Sequence, residues 1–352
     1  MRTTYNNAMK AMVLHNIADI ESDPLQLEDI PIPEPAAGEV LGKVHCCAIC
    51  RTDLHIIEGD LPQRKLPIVP GHQVVGTVEA LGPGCTDLQE GDRIGIAWLR
   101  HTCQDCDFCD RGQENLCESS AYTGYMADGG YAEYLTVPER YAFPIPDALG
   151  DAEAAPLLCA GAVGYRSLMR AELADGEPLG LTGFGASGHL VLQMARHRFP
   201  NSPVVVFARD PGQRELAREL GAAWSGDTAE RAPTPLAAII DTTPAWKPVV
   251  EALANLAPGG RLVVNAIRKE ADDQDELLRL RYHEHLWMER ELRSVANVTG
   301  RDIEQCLRLA AEIGLRPSVE TLPLRHANRA LVALRKGATV GAKVLRVADP
   351  DG

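Results

Sequence analysis

The spacing of apolar positions changes once along the chain. From Ala11 to about Pro138, short apolar runs such as AMVLHNI, QVVGTVEAL and DRIGIAW are separated by Gly and Pro. Short runs of β character between turn residues predict an irregular antiparallel barrel. Near Asp147 the pattern becomes helical, because AEAAPLLCAGAVGYRSLMRA combines helical periodicity with good helix formers. We therefore expect a β-rich region followed by a second region that opens with a helix.

Predicted strands and helices alternate in that second region. LGLTG precedes SGHLVLQMARHR, VVVFA precedes GQRELARELGA, and AAIIDTT precedes AWKPVVEALANL, which RLVVNA follows. Alternation at this spacing predicts a right-handed, doubly wound parallel sheet. Residues 292–297 are expected to add a strand, DIEQCLRLAAEIG a helix, and VGAKVLRV a final strand.

Length, charge and apolar content limit the range of functions. The 352 residues exceed the usual size of one domain, so two domains are expected. A net charge of −14 would repel the phosphates of nucleic acids and anionic membranes, which argues against both as main partners. The sequence contains no apolar stretch of the roughly 18 residues that span a bilayer, and its start lacks a secretory apolar run. These features predict a cytoplasmic location.

Four of the ten cysteines lie close together in one loop. Their spacing, Cys103-x2-Cys106-x2-Cys109-x7-Cys117, can place four thiolates around one tetrahedral Zn²⁺. Because four thiolates leave no open position for a substrate, such a site is structural. An iron–sulfur cluster also uses four cysteines, but its C-x2-C-x2-C-x3-C run ends with a different spacing. We therefore predict a structural zinc in this loop rather than disulfides.

Three other residues have the chemistry of an open metal site. Cys50 in AICRTDLH, His72 in VPGHQVVG and Cys159 in LLCAGA offer two thiolates and one imidazole. That ligand set, with a fourth position left for water or substrate, is known for catalytic zinc. A single cysteine is usually a small buried apolar residue, and spacing along the sequence does not establish that the three meet.

A glycine-rich turn follows the first strand of the alternating region. In GFGASG, Gly183, Gly185 and Gly188 lie between an apolar strand and a helix, as the G-x-G-x-x-G fingerprint requires. The glycines allow a tight turn and a close backbone approach, and the helix N-terminus faces the pyrophosphate. Together with Ala186 and Ser187, they are predicted to bind a dinucleotide cofactor.

The order of these motifs resembles that of the zinc-dependent medium-chain alcohol dehydrogenases, from about Ala8 to Val347. CRTDLH, GHQVVGTVEALG, the four-cysteine loop, CAGAVGYRSL and GFGASGH follow one another as in that family. The resemblance implies an α/β protein with a GroES-like irregular β-barrel catalytic domain and a Rossmann cofactor domain. The expected bounds are 1–160 with 300–352 for the catalytic domain and 161–299 for the cofactor domain.

The resemblance assigns roles around the open site. It implies that Cys50, His72 and Cys159 bind a catalytic zinc, so that two zinc ions per chain are expected. It makes Asp53 the carboxylate that orients the imidazole of His72, a support that metal-bound histidines commonly need. Without the resemblance, Asp53 would be interpreted as a turn-capping residue. The family usually has Glu after the zinc histidine, whereas Gln73 is found here, which puts transient metal coordination by this side chain in doubt.

A proton route and a phosphate contact are also implied near Cys50. Thr52 supplies a hydroxyl that donates and accepts, and the imidazole of His55 can accept a proton and pass it to water. In the family these two positions form a proton relay, and a basic residue at the position of Arg51 pairs with the pyrophosphate. Taken alone, the three residues would be a turn threonine, a surface histidine and a solvated arginine.

The residues after the second strand of the doubly wound sheet bear on the choice of cofactor. NAD-specific folds place an acid about twenty residues past the glycines. Here that position is Ala208, which Arg209 follows directly, and Arg214 lies early in the next helix. A small neutral residue followed by Arg leaves room for a 2′-phosphate and offers bidentate pairing. We therefore expect NADP(H) to be preferred over NAD(H), although Asp210 would support NAD if shifted by one or two residues.

The resemblance also bears on the substrate and the assembly. Trp98 matches a position that lines the substrate pocket in bacterial relatives, where it would favour apolar or aromatic alcohols and aldehydes; a core tryptophan is the alternative. Leu286, Trp287 and Met288 lie where relatives close the pocket or meet a second subunit. We expect a homodimer or homotetramer.

Three functions account for parts of this sequence pattern. The first is a zinc-dependent dehydrogenase that transfers hydride between NADP(H) and a primary or secondary alcohol, aldehyde or ketone, working mainly as a reductase. The second is a reductase of activated C=C bonds, against which the set of Cys50, His72 and Cys159 argues. The third is a non-catalytic NADPH-sensing module, which would not need the Thr52–His55 relay.

Overall fold

The computed structural model describes residues 8–337 and 341–347. They form two compact units: the residues up to Cys159 together with those from Thr299 onward make the first, and Ala160–Val298 make the second. The predicted catalytic domain also includes residues 1–7, 338–340 and 348–352, which lie outside the described residues. The same holds for Val340, the first residue of the predicted final strand.

The first unit begins with a series of short strands. They are β1 (Ala8–Leu14), β2 (Leu25–Pro31), β3 (Glu39–Ala48), β4 (Val74–Leu81), β5 (Arg93–Ile96), β6 (Leu99–His101), β7 (Ala121–Tyr122), β8 (Tyr134–Pro138) and β9 (Ala142–Pro144). The helices among them are α1 (Arg51–Ile57), α2 (Asp107–Asp110) and α3 (Asp151–Ala154).

The second unit alternates strands and helices. Its strands are β10 (Leu179–Thr182), β11 (Val204–Phe207), β12 (Trp224–Gly226), β13 (Leu236–Asp241), β14 (Leu256–Val264) and β15 (Glu291–Ser294). Its helices are α4 (Ala160–Arg170), α5 (Gly188–Arg198), α6 (Pro211–Glu219), α7 (Lys247–Leu253) and α8 (Tyr282–His285).

The chain then returns to the first unit. The returning elements are α9 (Gly300–Glu312), β16 (Val319–Pro323), α10 (Ala327–Arg335) and β17 (Ala342–Arg346). Thr299 starts α9 with a capping box, because its hydroxyl accepts from the N–H of Asp302 and the Asp302 carboxylate accepts from the N–H of Thr299. Within the described ranges, no helix has both the length and the apolar content needed to cross a bilayer.

Strand β3 is the centre of the main sheet in the first unit. Antiparallel partners of β3 are β4, β8 and β17, while β5 and β9 extend the sheet beyond β4 and β16 joins β17 in parallel. Separate antiparallel ladders join β1 to β2 and β6 to β7. This irregular, mainly antiparallel arrangement agrees with the expectation from the apolar runs.

The sheet of the second unit is parallel throughout its described strands. Its order is β12-β11-β10-β13-β14-β15, which is the Rossmann order 3-2-1-4-5-6. Every residue of β10 and β11 is buried, as expected for strands covered on both faces. Phe207, Leu253 and Leu262 belong to the core on one side of the sheet. The doubly wound fold expected from the sequence is confirmed.

The helix predicted through AEAAPLLCAGAVGYRSLMRA is wrong as a single element. Helix α3 ends at Ala154, a 3₁₀ turn covers Ala155–Leu158, and α4 begins at Ala160. Pro156 has no N–H for a continuing helix, and Cys159 between the two segments has φ −131° and ψ −74°. The break therefore leaves Cys159 outside both helices, where its thiol can meet other residues of the first unit.

Candidate active site

The start of α1 brings several predicted site residues together. Cys50 caps the helix in an extended conformation, and its N–H donates to Oδ2 of Asp53 at 2.9 Å. Asp53 is fully buried and also accepts from the hydroxyl of Tyr131 at 3.0 Å. Its Oδ1 lies 3.1 Å from Nδ1 of His72. Asp53 therefore both caps the helix and supports His72, two roles that the sequence presented as alternatives.

Cys50, His72 and Cys159 meet in space. Their ligand atoms all lie within 4.8 Å of one another, and the two Sγ atoms are 3.8 Å apart. Nε2 of His72 is buried and has no hydrogen-bond partner among the described residues. A buried ring nitrogen without a partner requires an explanation, and two thiols with one imidazole are ligands that Zn²⁺ prefers. The three residues therefore fit a metal ion with one coordination position left open.

The charges around this cluster bear on its protonation. Burial disfavours a charged His72, but the Asp53 carboxylate and the Cys50 thiolate together raise its pKa to about 10. The hydrogen bond between the two thiols lowers the pKa of Cys50 well below its usual range and raises that of Cys159. Because a metal binds thiolate and neutral imidazole, its binding here is expected to release protons.

Gln73 follows His72 and is also buried. Its Nε2 donates to the carbonyl oxygen of Ala48 at 3.3 Å, while its Oε1 has no partner within the described part of the chain. An ionised glutamate would have no proton to donate to Ala48, so an amide suits this contact.

The residues predicted to form a proton relay both lie on α1. Oγ1 of Thr52 is 3.6 Å from Sγ of Cys50, which places this hydroxyl beside the three-residue cluster. Nδ1 of His55 is 2.8 Å from Oδ2 of Asp60. Asp60 was not among the predicted site residues, although an acid five positions after a candidate relay histidine is a usable signal. Arg51, the predicted phosphate contact, is the first residue of α1.

Trp98 lies against His72 as part of an aromatic group. The two ring centroids are 5.0 Å apart with the rings edge to face. Trp98 also stacks on Tyr122 and Tyr125, with centroids 4.9 Å and 5.7 Å away. Neither tyrosine was predicted, because aromatic character alone does not identify which strands and turns meet. The three rings give the cluster an apolar neighbour.

The four cysteines of the single loop also converge. Their Sγ atoms lie within 4.8 Å of one another, with that of Cys103 3.5 Å from Cys117 and 4.0 Å from Cys109. All four are free thiols rather than disulfides. Gln104 has a left-handed φ of 61°, and Cys106 caps α2, so the loop turns tightly around one centre. Four thiols in this arrangement fit a closed zinc shell.

The glycine turn lies between β10 and α5. Gly183 has φ +79°, and a Cβ there would stand 2.8 Å from the Thr242 hydroxyl oxygen. A Cβ on Gly188 would stand 2.5 Å from the carbonyl oxygen of Gly183, whereas one on Gly185 would meet no described atom within 4 Å. The hydroxyl of Ser187 donates to the carbonyl of Ala160 at 3.0 Å. The turn is therefore tightly packed at Gly183 and Gly188 and open at Gly185, which fits a backbone cradle for phosphate.

The turn after β11 contains the residues predicted to select the cofactor. Ala208 is buried, and Arg209 is exposed. Oδ1 of Asp210 accepts from the N–H of Gln213 at 2.8 Å, so this carboxylate caps α6. One guanidinium nitrogen of Arg214 donates to the carbonyls of Ala208 and Arg209 at 2.7 Å and 2.9 Å. Arg214 therefore supports the turn itself, and its pairing with a 2′-phosphate stays a prediction.

A GroES-like unit with a cysteine–histidine cluster, followed by a Rossmann unit, defines a medium-chain dehydrogenase. The alcohol dehydrogenase GroES-like domain family matches residues 36–147. The chain belongs to the alcohol dehydrogenase family of oxidoreductases, as relatives that match 96% of it show. The expected family and fold class are thus confirmed.

Two relatives and one solved structure illustrate this similarity. The probable alcohol dehydrogenase AdhA of Mycobacterium tuberculosis is 43% identical over 96% of this chain and 97% of its own length. An alcohol dehydrogenase of Geobacillus stearothermophilus is 36% identical over 96% of this chain and 100% of its own length. The structure of a cinnamyl alcohol dehydrogenase from Sorghum bicolor is 27% identical, with a TM-score of 0.84 over 97% of this chain and 98% of that one.

Proposed function

We propose that this chain is a zinc-dependent alcohol dehydrogenase that transfers hydride between NADP(H) and a primary or secondary alcohol, aldehyde or ketone. The observation that carries the proposal is Nε2 of buried His72, which has no partner in the part of the chain that the structure describes and lies with the thiols of Cys50 and Cys159 inside a 4.8 Å cluster. We propose that the enzyme works mainly in the direction of reduction, from aldehydes and ketones to alcohols.

Two sets of residues would hold two zinc ions. Cys50, His72 and Cys159 would hold the catalytic ion, and the four-cysteine loop would hold the structural one. When bound at the open set, zinc supplies a Lewis acid that polarises a carbonyl or favours ionisation of an alcohol. The carboxylate of Asp53 orients the ring of His72, and the Tyr131 hydroxyl donates to that carboxylate and so fixes its position.

Thr52 and His55 would move the proton that accompanies hydride transfer. The Thr52 hydroxyl donates and accepts, and it lies beside the Cys50 thiol. Asp60 accepts from Nδ1 of His55, which leaves Nε2 of that ring to exchange a proton. The acid–base work is thereby assigned to Thr52 and His55, and Asp60 holds the histidine in one orientation.

The substrate class follows from the aromatic group beside the cluster. Trp98 lies edge to face against His72 and stacks on Tyr122 and Tyr125, and flat apolar surfaces favour flat apolar substrates. We therefore propose aromatic and other apolar aldehydes. The similarity to the structure of a cinnamyl alcohol dehydrogenase supports this class.

The preference for NADP(H) rests on the turn after β11. One carboxylate oxygen of Asp210, Oδ1, is engaged in capping α6 through the N–H of Gln213. Ala208 is small and neutral, and Arg209 is an exposed cation at the adjacent position. This arrangement favours a 2′-phosphate over a bare hydroxyl.

A homodimer or homotetramer is also part of the proposal. Strand β15 is the last in the described order of the parallel sheet, and an exposed apolar group lies just before and within it. Its members, from 39% to 50% exposed, are Leu286, Trp287, Met288 and Leu292. An apolar group at a sheet edge suits contact with a second copy. The cytoplasmic location stays a prediction.

The decisive experiment measures NADPH-dependent reduction of an aldehyde panel by the wild type, Cys50→Ala and Cys85→Ala. Cys85 is a cysteine outside both clusters and serves as the matched control. We expect two zinc ions in the wild type, one in Cys50→Ala with loss of activity, and no change in Cys85→Ala. Full activity of Cys50→Ala would contradict the catalytic zinc. A kcat/KM ratio that favours NADH would contradict the cofactor assignment.

A further inference from the structure

His189 is a buried histidine that the proposed chemistry does not use. It is the second residue of α5, directly after Gly188, and it is 7% exposed. Nδ1 of its ring lies 2.8 Å from the carbonyl oxygen of Gly185. Its Nε2 is buried and has no hydrogen-bond partner among the described residues.

The contact with Gly185 determines which ring nitrogen carries the proton. A carbonyl oxygen only accepts, so Nδ1 of His189 donates to it. Burial lowers the pKa of His189, which favours the neutral ring and makes Nε2 an acceptor that meets no donor within residues 8–337 and 341–347. Such unpaired buried atoms are rare in native proteins. The position of the ring therefore satisfies the hydrogen bond from Nδ1 to the Gly185 carbonyl and leaves Nε2 without a partner among the described residues.

Holding the Gly185 carbonyl also sets the direction of the next amide. A trans peptide is planar, so the C=O of Gly185 and the N–H of Ala186 point in opposite directions. The backbone N–H of His189 reaches the same oxygen at 3.5 Å, which draws the carbonyl toward the first turn of α5. The N–H of Ala186 then points away from the His189 ring. Amides presented in this way before a helix bind phosphate oxygens.

We propose that His189 is a positioning residue for the cofactor, because its Nδ1–H holds the Gly185–Ala186 peptide so that the Ala186 amide donates to the pyrophosphate of NADP(H). The inference rests on the proposed function, since it requires a dinucleotide in the glycine turn. It adds a side chain to a phosphate cradle that the fingerprint attributes to backbone and glycines. The open space at Gly185 leaves that side of the turn accessible to a ligand.

The test compares His189→Leu with His189→Asn in the full-length protein. Leucine fills similar space without a donor, whereas the asparagine side-chain amide can donate near the position of Nδ1. Binding of NADPH is measured by calorimetry beside binding of adenosine 2′-monophosphate, which lacks the pyrophosphate. The matched control is His197→Asn, an exposed histidine at the other end of α5.

We expect His189→Leu to raise the Kd for NADPH on the order of tenfold, as the weakening of one hydrogen bond to a charged group would. The Kd for adenosine 2′-monophosphate should change less than about twofold. His189→Asn should recover most of the NADPH affinity, and kcat at saturating NADPH should be unchanged in both variants.

Three outcomes would overturn the inference. They are an unchanged Kd for NADPH in His189→Leu, an equal loss in the Leu and Asn variants, and a parallel loss for both ligands. Thermal unfolding of each variant separates a failure to fold from a loss of binding, and if the Leu variant does not fold, His189→Ala, which also lacks the donor, takes its place in the comparison with His189→Asn. A wild-type protein that binds no dinucleotide would instead contradict the proposed function.

Discussion

The two thiol clusters of the first unit are assembled in different ways. One set comes from a single loop, and its members are Cys103, Cys106, Cys109 and Cys117. The other draws Cys50, His72 and Cys159 from three segments, with the two cysteines 109 positions apart. A closed shell can thus be encoded by local spacing, whereas the open shell exists only after the surrounding sheet has formed.

The residues that hold the two clusters in place also come from distant segments in one case and from a single loop in the other. His72 is held by the buried carboxylate of Asp53, which Tyr131 and the cap of α1 hold in turn. The four-cysteine loop instead relies on backbone turns, such as the left-handed Gln104, and on contacts among its own thiols. We infer that zinc bound at the open site would serve chemistry and leave the fold intact, while zinc bound at the closed site would maintain local structure.

The largest effect is expected from Cys159→Ser. Removing one ligand of the open set should lower kcat/KM on the order of 10³-fold, because several kcal/mol of stabilisation of developing charge are lost. Zinc content should fall from two ions to one per chain, with little change in Tm. Measured metal content beside aldehyde reduction checks this, and a large fall in Tm would remove the contrast between the clusters.

The converse variant is Cys109→Ser, in the closed shell. Loss of a structural metal belongs to the class of changes that cost about 4 kcal/mol. We expect Tm to fall by roughly 10 °C, while activity measured well below Tm stays close to that of the wild type. Calorimetry with and without a chelator provides the measurement. Loss of activity at full stability would show that the four-cysteine loop takes part in the chemistry.

A smaller effect is expected from Asp53→Asn. The amide cannot serve both Nδ1 of His72 and the N–H of Cys50 as the carboxylate does, so zinc affinity at the open site should fall roughly 10- to 100-fold. Tyr131→Phe is the matched control, because it removes only one hydrogen bond to Asp53. Competition with a chromogenic chelator measures both. Equal affinities for the two variants would show that the carboxylate does not orient His72.

Much of the fold was predictable because its signals are local. Each strand and helix from β10 to β14 that carries an apolar run was expected, and alternation alone indicates a parallel sheet. The break at Cys159 was not expected, since the surrounding Ala and Leu residues favour one continuous helix. Pro156 was the available signal for it. Between the two helical segments, Cys159 lies with its Sγ 3.8 Å from that of Cys50.

The candidate site was predictable only in part. Spacing suffices for the four-cysteine loop, and context suffices for the glycine turn. Tyr131 and Asp60 were missed because their roles depend on which segments pack beside α1. Arg214 donates to the carbonyls of its own turn, a contact that residue types did not indicate, and its pairing with a 2′-phosphate stays a prediction. The direction of a backbone carbonyl depends on a local conformation that residue types do not specify.

The smallest effect concerns Gln73, the departure from the family beside His72. In Gln73→Glu the carboxylate faces the Ala48 carbonyl without a proton to donate, whereas in Gln73→Met the donor is lost and no charge is added. Both variants should be destabilised by about 1 kcal/mol, because each loses the hydrogen bond from the amide to the Ala48 carbonyl. Because Zn²⁺ attracts a neighbouring carboxylate, the glutamate variant should recover stability when the open site is loaded, and the methionine variant should not.

Denaturant unfolding with zinc bound, and again after mild chelation, measures this difference. If the glutamate and methionine variants respond equally to zinc, the side chain at position 73 does not sense the metal, and the amide serves only the contact with Ala48. If only the glutamate variant responds, the open cluster is electrostatically coupled to the residue that follows its histidine. The four-cysteine loop surrounds its centre with thiolates alone, so a neighbouring charge should affect its metal far less.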